Sequence, residues 1–403
     1  MPHTHTLHDA DIRQVRIATQ FPAQPRSLEE LVRATGLHRT LGGVDVYLAL
    51  RARMPSFGAD DLHAALLDGT LSVGPTVRGC IYIGLGEDRA LMLGIAALLA
   101  RSRVEKEMEK LKVPDSELKR LGDQIVKTLA DAGALSTDAV RKALPAGVVR
   151  SLGDAGKKLG ISSTLPPTLR LLEFDGRIRR IPESGRVDVE RYLWSVAEPF
   201  EEIPRETLVK RLAERFYGWA GVATVDAFAE WSGLGKREAR AGVDALDLSS
   251  WDCGGVGCLG DGSVVHGALE RKNDVVALLP FEDNLVAFAQ GLAPWFAAEH
   301  HALALPNWGR AGRLSIGESR YATLRPILAQ GRFVGFWEFD PVRRKTEIGL
   351  LEEVEKRTRA RIDELAENTT SFLRDNFDHA RSFSLDSDED LRKRVKQVKG
   401  LAR

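Results

Sequence analysis

The chain has 403 residues, too many for a single ordinary core, so two to four domains are expected. Hydrophobic residues at 43% and charged residues at 28% suit a folded chain, and 57 Lys+Arg against 57 Asp+Glu exclude a uniformly basic coat for nucleic acid. No apolar run approaches the roughly 18 residues of a membrane span, the N-terminus lacks a secretory pattern, and three cysteines fit a reducing, cytoplasmic setting without disulfides.

In chain order, residues 10–18 read as a helix, and Ser27 with Glu30 opens a second one. Residues 44–53 and 59–67 read as helices, and residues 70–87 as two strands joined through Gly74-Pro75. Residues 101–112 read as a solvated, charged helix face. A long helix over 115–132 ends at Gly133; a capped helix starts after Leu135-Ser136, and a ribbon spans 174–189. The same layout returns at 205–219, Gly221, the cap at Thr224, a helix at 235–246 and a glycine-rich ribbon at 250–267. It is present more loosely at the start of the chain, which makes a degenerate repeat. From 275 onward short strands alternate with turns, one at Gln330-Gly331, and residues 351–377 form a charged amphipathic helix. An acidic and then a basic patch end the tail.

The expected fold class is therefore α+β, mainly helical, with tandem winged-helix units followed by a small β-barrel and a C-terminal helix. Residues 1–107, 108–200 and 201–272 would be the winged-helix units, 273–350 the barrel, and 351–403 the helix and charged tail.

Walker loops, HExxH, GxSxG and paired CxxC sites are all missing, so no cofactor is expected. Cys253 and Cys258 have the wrong spacing for zinc, and His3, His5 and His8 lie on a terminus read as loose; no metal is expected. His300-His301 read as solvated loop residues. Helices at 225–231 and 236–246, joined by Ser-Gly-Leu-Gly, have the form of a helix-turn-helix whose second helix enters the major groove. That helix begins with Lys236, Arg237 and Arg240, and the second ribbon holds Arg177, Arg179, Arg180 and Arg186. Such cations contact phosphate and position a protein without reading sequence. The competing reading pairs these arginines with Glu173, Asp175, Glu183 and Asp188. The partner expected from the clusters is double-stranded DNA, bound by a monomer associated with the nucleoid.

The stretch Leu41-Gly-Gly-Val-Asp-Val-Tyr-Leu-Ala-Leu-Arg-Ala-Arg53, then residues 57–66, then Arg78-Gly-Cys-Ile-Tyr-Ile83, resembles the AlkZ/YcaQ-like DNA glycosylases. Residues 228–240, Leu278-Leu-Pro-Phe-Glu-Asp-Asn284 and residues 330–337 extend the resemblance to about position 345. It implies a bacterial repair enzyme for alkylated and crosslinked bases, with Arg78 and Tyr82 on a ribbon facing DNA. The family's Gln-x-Gln or Gln-x-Asp motif is not intact: its glutamine position is Gly43, and Asp45 is the only polar group able to stand in. The family's ribbon histidine is Tyr82. An ionised carboxylate below C1′ stabilises an oxocarbenium-like sugar and accepts a proton from water, so Asp45 alone is chemically sufficient for hydrolysis. Asp45 is also read as the cap of a helix starting at Val46. The two functional readings are a glycosylase using Asp45, and a non-catalytic DNA-binding protein (a damage sensor or transcription regulator) on the same scaffold.

Overall fold

Local capping lays down the helices. Ser27, Ser136 and Thr224 each accept a hydrogen bond from the amide three residues on, opening helices Leu28–Thr35, Thr137–Ala143 and Val225–Ser232. Apolar residues at three- and four-residue spacing then bury one face, as Leu118, Leu121, Ile125 and Leu129 do in Asp115–Ala132. The computed structural model describes residues 5–198, 200–272, 274–288, 291–306 and 312–401. Its fold is mixed α+β and about half helical. Among the described residues, no helix is long and apolar enough to cross a membrane.

One topology recurs three times, which is the physical content of the sequence repeat. A short strand precedes two or more helices, and a hairpin follows whose second strand takes the middle of a three-stranded sheet. The sheets are His38–Arg39, Ile81–Leu85 and Leu71–Pro75; Leu135–Ser136, Tyr192–Val196 and Ile178–Pro182; and Val222–Ala223, Val256–Gly260 and Ser249–Cys253. His5–Leu7 extends the third sheet in parallel with Ser249–Cys253, so this part of the terminus is ordered rather than loose. His3 lies outside the described residues.

Several boundaries differ from expectation. Gly74-Pro75 lies inside a strand, and the first hairpin turns at residues 76–80, where Arg78 takes φ +55°. The second hairpin strand, Tyr192–Val196, begins beyond the expected ribbon. Residues 262–270 form the helix Gly262–Glu270, because the Asp261 carboxylate accepts from the Ser263 and Val264 amides and caps it.

The expected small barrel is an open sheet. Ala277–Leu278, Arg325–Ala329, Arg332–Asp340 and Lys345–Leu350 pair antiparallel in that order, and the two outer strands do not close on one another. Helices Lys356–Asn376 and Asp388–Leu401 pack against this sheet. The charged tail is thus a second helix, acidic in its first turn and basic in its last, as the helix dipole favours. Leu391 and Val398 are sealed beneath it.

The largest core joins Val44, Tyr47 and Leu50 to Ile327 and Trp337 of the open sheet and to Phe372 and Leu391 of the C-terminal helices. Helix Asp45–Arg53 consequently lies in the interior, with residues 45–50 and Arg53 all buried. Residues 121–194 hold a cluster of their own around Ile125, Leu169 and Trp194.

Candidate nucleic-acid interface and the carboxylate at position 45

Asp45 is the first residue of its helix. Val44 is the cap and makes no side-chain cap bond, so the capping role expected for Asp45 is not the one it fills. Its carboxylate turns inward instead. Oδ1 accepts from Arg325 Nη2 at 2.8 Å and Oδ2 from the Phe281 amide at 2.8 Å, leaving the side chain 12% exposed. Burial pushes the carboxyl above the usual aspartate range, and the Arg325 charge pulls against it.

Arg325 is fully buried and joins a larger network. Nη1 meets Glu338 Oε1 at 2.6 Å; Nη2 also donates to the Ala380 carbonyl and to Ser382 Oγ, each at 2.9 Å; and the guanidinium lies over Trp337. Arg394 closes the chain of charges by pairing with Glu338 and, through both terminal nitrogens, with Asp386 at 3.0 and 2.7 Å. A strap, residues 377–387, thus crosses the start of the Asp45 helix. Val44 N donates to Arg381 O at 2.9 Å and Ser384 N to Leu41 O at 2.8 Å. A Cβ placed on Gly43 would stand 2.2 Å from the Ser382 carbonyl carbon, so no side chain fits where the glutamine would be.

The ribbon pair meets: Arg78 is exposed and donates through Nη2 to Tyr82 Oη at 2.6 Å, whereas the Tyr82 ring is 2% exposed. Nearby Arg39 pairs with Glu282. The arginines of the second ribbon divide. Arg180 is bound at both ends by buried Glu173 (2.7 and 2.6 Å) beneath Tyr192 and Trp194, and Arg186 is held by Asp188. For these two the carboxylate-pairing reading describes the geometry. Arg177 pairs with Asp123 at the surface, and Arg179 has no carboxylate partner among the described residues.

Helix Lys236–Asp244 sorts its cations by face. Lys236 and Arg240, four residues apart, line a groove of about 1040 Å³ between this helix and the hairpin at 249–260; each has an exposed acidic neighbour, Asp226 or Asp244. Arg237 points to a separate groove of about 670 Å³ with Arg205 and Lys210, and has no carboxylate partner among the described residues. His300 is buried beside Glu352 rather than solvated. Arg332 occupies both Glu352 oxygens, which leaves the Glu299–His300–Glu352 group poorly suited to a cation.

Sequence reasoning missed Arg325, Glu338, Asp386 and Arg394. Asp45 and Arg325 lie 280 positions apart, and no local pattern marks such a pair.

Comparison with known proteins supplies what the geometry leaves open. No curated protein sequence matches the chain. The Streptomyces sahachiroi DNA glycosylase AlkZ shares its fold, with a TM-score of 0.66 at 15% identity over 91% of this chain and 96% of that one. The profile of the DNA glycosylase AlkZ-like family matches residues 33–372, a span that holds Gly43, Asp45, the Arg78 ribbon and the open sheet. By that match the chain belongs to the AlkZ-like DNA glycosylase family, and its role is that of a DNA-repair, glycosylase-like protein acting on DNA.

Proposed function

We propose that this protein binds damaged duplex DNA through its three repeated units, which we read as winged helices within the five-part division given above, and that Asp45 serves as a structural carboxylate rather than a general base. The family match over residues 33–372 supports the DNA-repair role. One observation carries the reading of Asp45: both of its oxygens are engaged, by Arg325 and by the Phe281 amide, under a strap that leaves Gly43 no room for a side chain. Alkylated and crosslinked duplexes are the damage class that fits the family. Arg78, Arg179, Arg237, Lys236 and Arg240 would supply the phosphate contacts, and such contacts make affinity fall steeply with salt.

A second reading, excision with Asp45 as base, has one observation in its favour. Burial raises its carboxyl, and a base working near neutral pH needs that direction.

The test is base release from alkylated and crosslinked duplexes, run beside salt-titrated binding to damaged and undamaged DNA. The expected result is salt-sensitive duplex binding without release that depends on Asp45. Release by the wild type that disappears in Asp45→Asn establishes the second reading. No affinity for duplex even in dilute salt refutes both.

A further inference from the structure

The hairpin Ser249–Cys253 and Val256–Gly260 turns through Gly254-Gly255, at φ +63° and +85°, with no atom within 4 Å of a Cβ at either position. Cys253 pairs with Val256 and Cys258 with Trp251, so the two cysteines are diagonal neighbours on one face of the hairpin. Each thiol is the leading influence on the other's acidity, which sets the two sulfurs within reach of one another. Cys253 is half-buried and Cys258 buried, at 8% exposure.

Arg16, on the helix Asp9–Gln20, stands beside both sulfurs. Its Nε is sealed from solvent without an acceptor, and Nη2 reaches only the Val222 carbonyl, at 3.5 Å. No carboxylate pairs with it among the described residues. A part-buried guanidinium without a carboxylate partner favours a nearby anion, and the thiols beside it can supply one as thiolate. The Cys253 thiol and then the Arg16 charge hold the Cys258 thiol below the ordinary cysteine range, against burial.

We infer that Cys253 and Cys258 form an oxidation site, a dithiol closed to a disulfide by small hydroperoxides. The Cys258 thiolate attacks one peroxide oxygen, the O–O bond breaks, and the departing hydroxide takes a proton to become water. The sulfur of Cys253 then attacks the Cys258 sulfenic acid. The S–S bond forms, the S–O bond breaks, and the Cys253 proton leaves with the hydroxide as a second water. Two thiols lose two electrons and hydrogen peroxide gains them. The glycine turn lets the two strands adjust as the sulfurs draw to about 2.05 Å.

The experiment treats the full chain with hydrogen peroxide, counts thiols after denaturation, and maps the peptide carrying both residues. The expected count falls from three to one, with that peptide lighter by two hydrogens and Cys80 still reduced. In Cys253→Ser, a sulfenic-acid probe should label Cys258. Arg16→Met should slow closure about threefold, because each unit of thiol pKa changes the thiolate fraction tenfold while nucleophilicity compensates in part. Three thiols surviving in the wild type, oxidation at Cys80 alone, or disulfides only between chains would overturn the inference, and the wild-type readout needs no variant to fold.

Discussion

Arg325→Met tests whether the Asp45 network is structural. The substitution keeps a stem of similar length but removes the cation that meets Asp45, Glu338, the Ala380 carbonyl and Ser382. Removing one partner of a buried ion pair destabilises by about 3–5 kcal/mol, because a charge is left without compensation. Glu338 retains Arg394 and the Phe339 amide, so Asp45 is the group left stranded, with only the Phe281 amide. The urea midpoint should fall by about 1 M for a chain of this size. Adding Asp45→Asn removes the stranded charge, and the double variant should regain about 1–2 kcal/mol over Arg325→Met alone. The pH profile gives a second signature. A carboxyl whose folded-state pKa is raised binds more protons folded than unfolded, so it destabilises as pH rises and the deficit of Arg325→Met should narrow as pH falls toward the ordinary aspartate range. A loss under about 1 kcal/mol, or a double variant weaker than the single one, would refute the structural role.

His38 should set an acid limit. Burial, then the nearby Arg53 charge, lower its pKa from 6.5 to about 3. The unfolded chain takes up this proton first, so stability is full above about pH 6.5 and is lost toward pH 3; His38→Gln should remove up to about 1.36 kcal/mol per pH unit of that slope in urea titrations. Gly43→Gln supplies the glutamine that the sequence resemblance implies at this position and should still fail to give base release. Its Cβ meets the Ser382 backbone, so loss of folded protein or displacement of the strap, read by proteolysis at residues 377–387, is the expected result. Arg180→Ala and Arg237→Ala should separate in DNA binding. The first strands buried Glu173 and lowers stability by about 3–5 kcal/mol without altering the salt slope; the second leaves stability intact and flattens that slope by about one unit.

What the sequence revealed follows the range of the forces involved. Caps at Ser27, Ser136 and Thr224, the end at Gly133 and the Gln330-Gly331 turn are decided by a few neighbouring residues, and each was legible. The repeat was legible because the same local signals recur in order. Hairpin edges were less so: Tyr192–Val196 depends on cross-strand partners Ile178–Pro182, which local composition does not disclose. Arginines in a ribbon look alike in sequence, yet Arg180 is clamped by Glu173 against two aromatic rings while Arg179 has no carboxylate partner among the described residues.

The site was the least legible part, for a physical reason. A carboxylate's role depends on what solvates it, and the groups around Asp45 come from positions 281, 325, 338 and 380–394. A glycine in place of glutamine reads as a simple loss when only the loop is considered. In three dimensions that glycine is a condition for the strap's approach, since any Cβ there would collide with the Ser382 backbone. The strap in turn delivers Ser382 and the Ala380 carbonyl to Arg325, and Asp386 to Arg394. Missing glutamine, buried aspartate and returning tail are therefore coupled: a side chain at position 43 collides with the strap, and losing the strap takes two acceptors from Arg325 and one carboxylate from Arg394. The family profile holds Gly43 and Asp45 and ends at residue 372, before the strap at 377–387 that engages them.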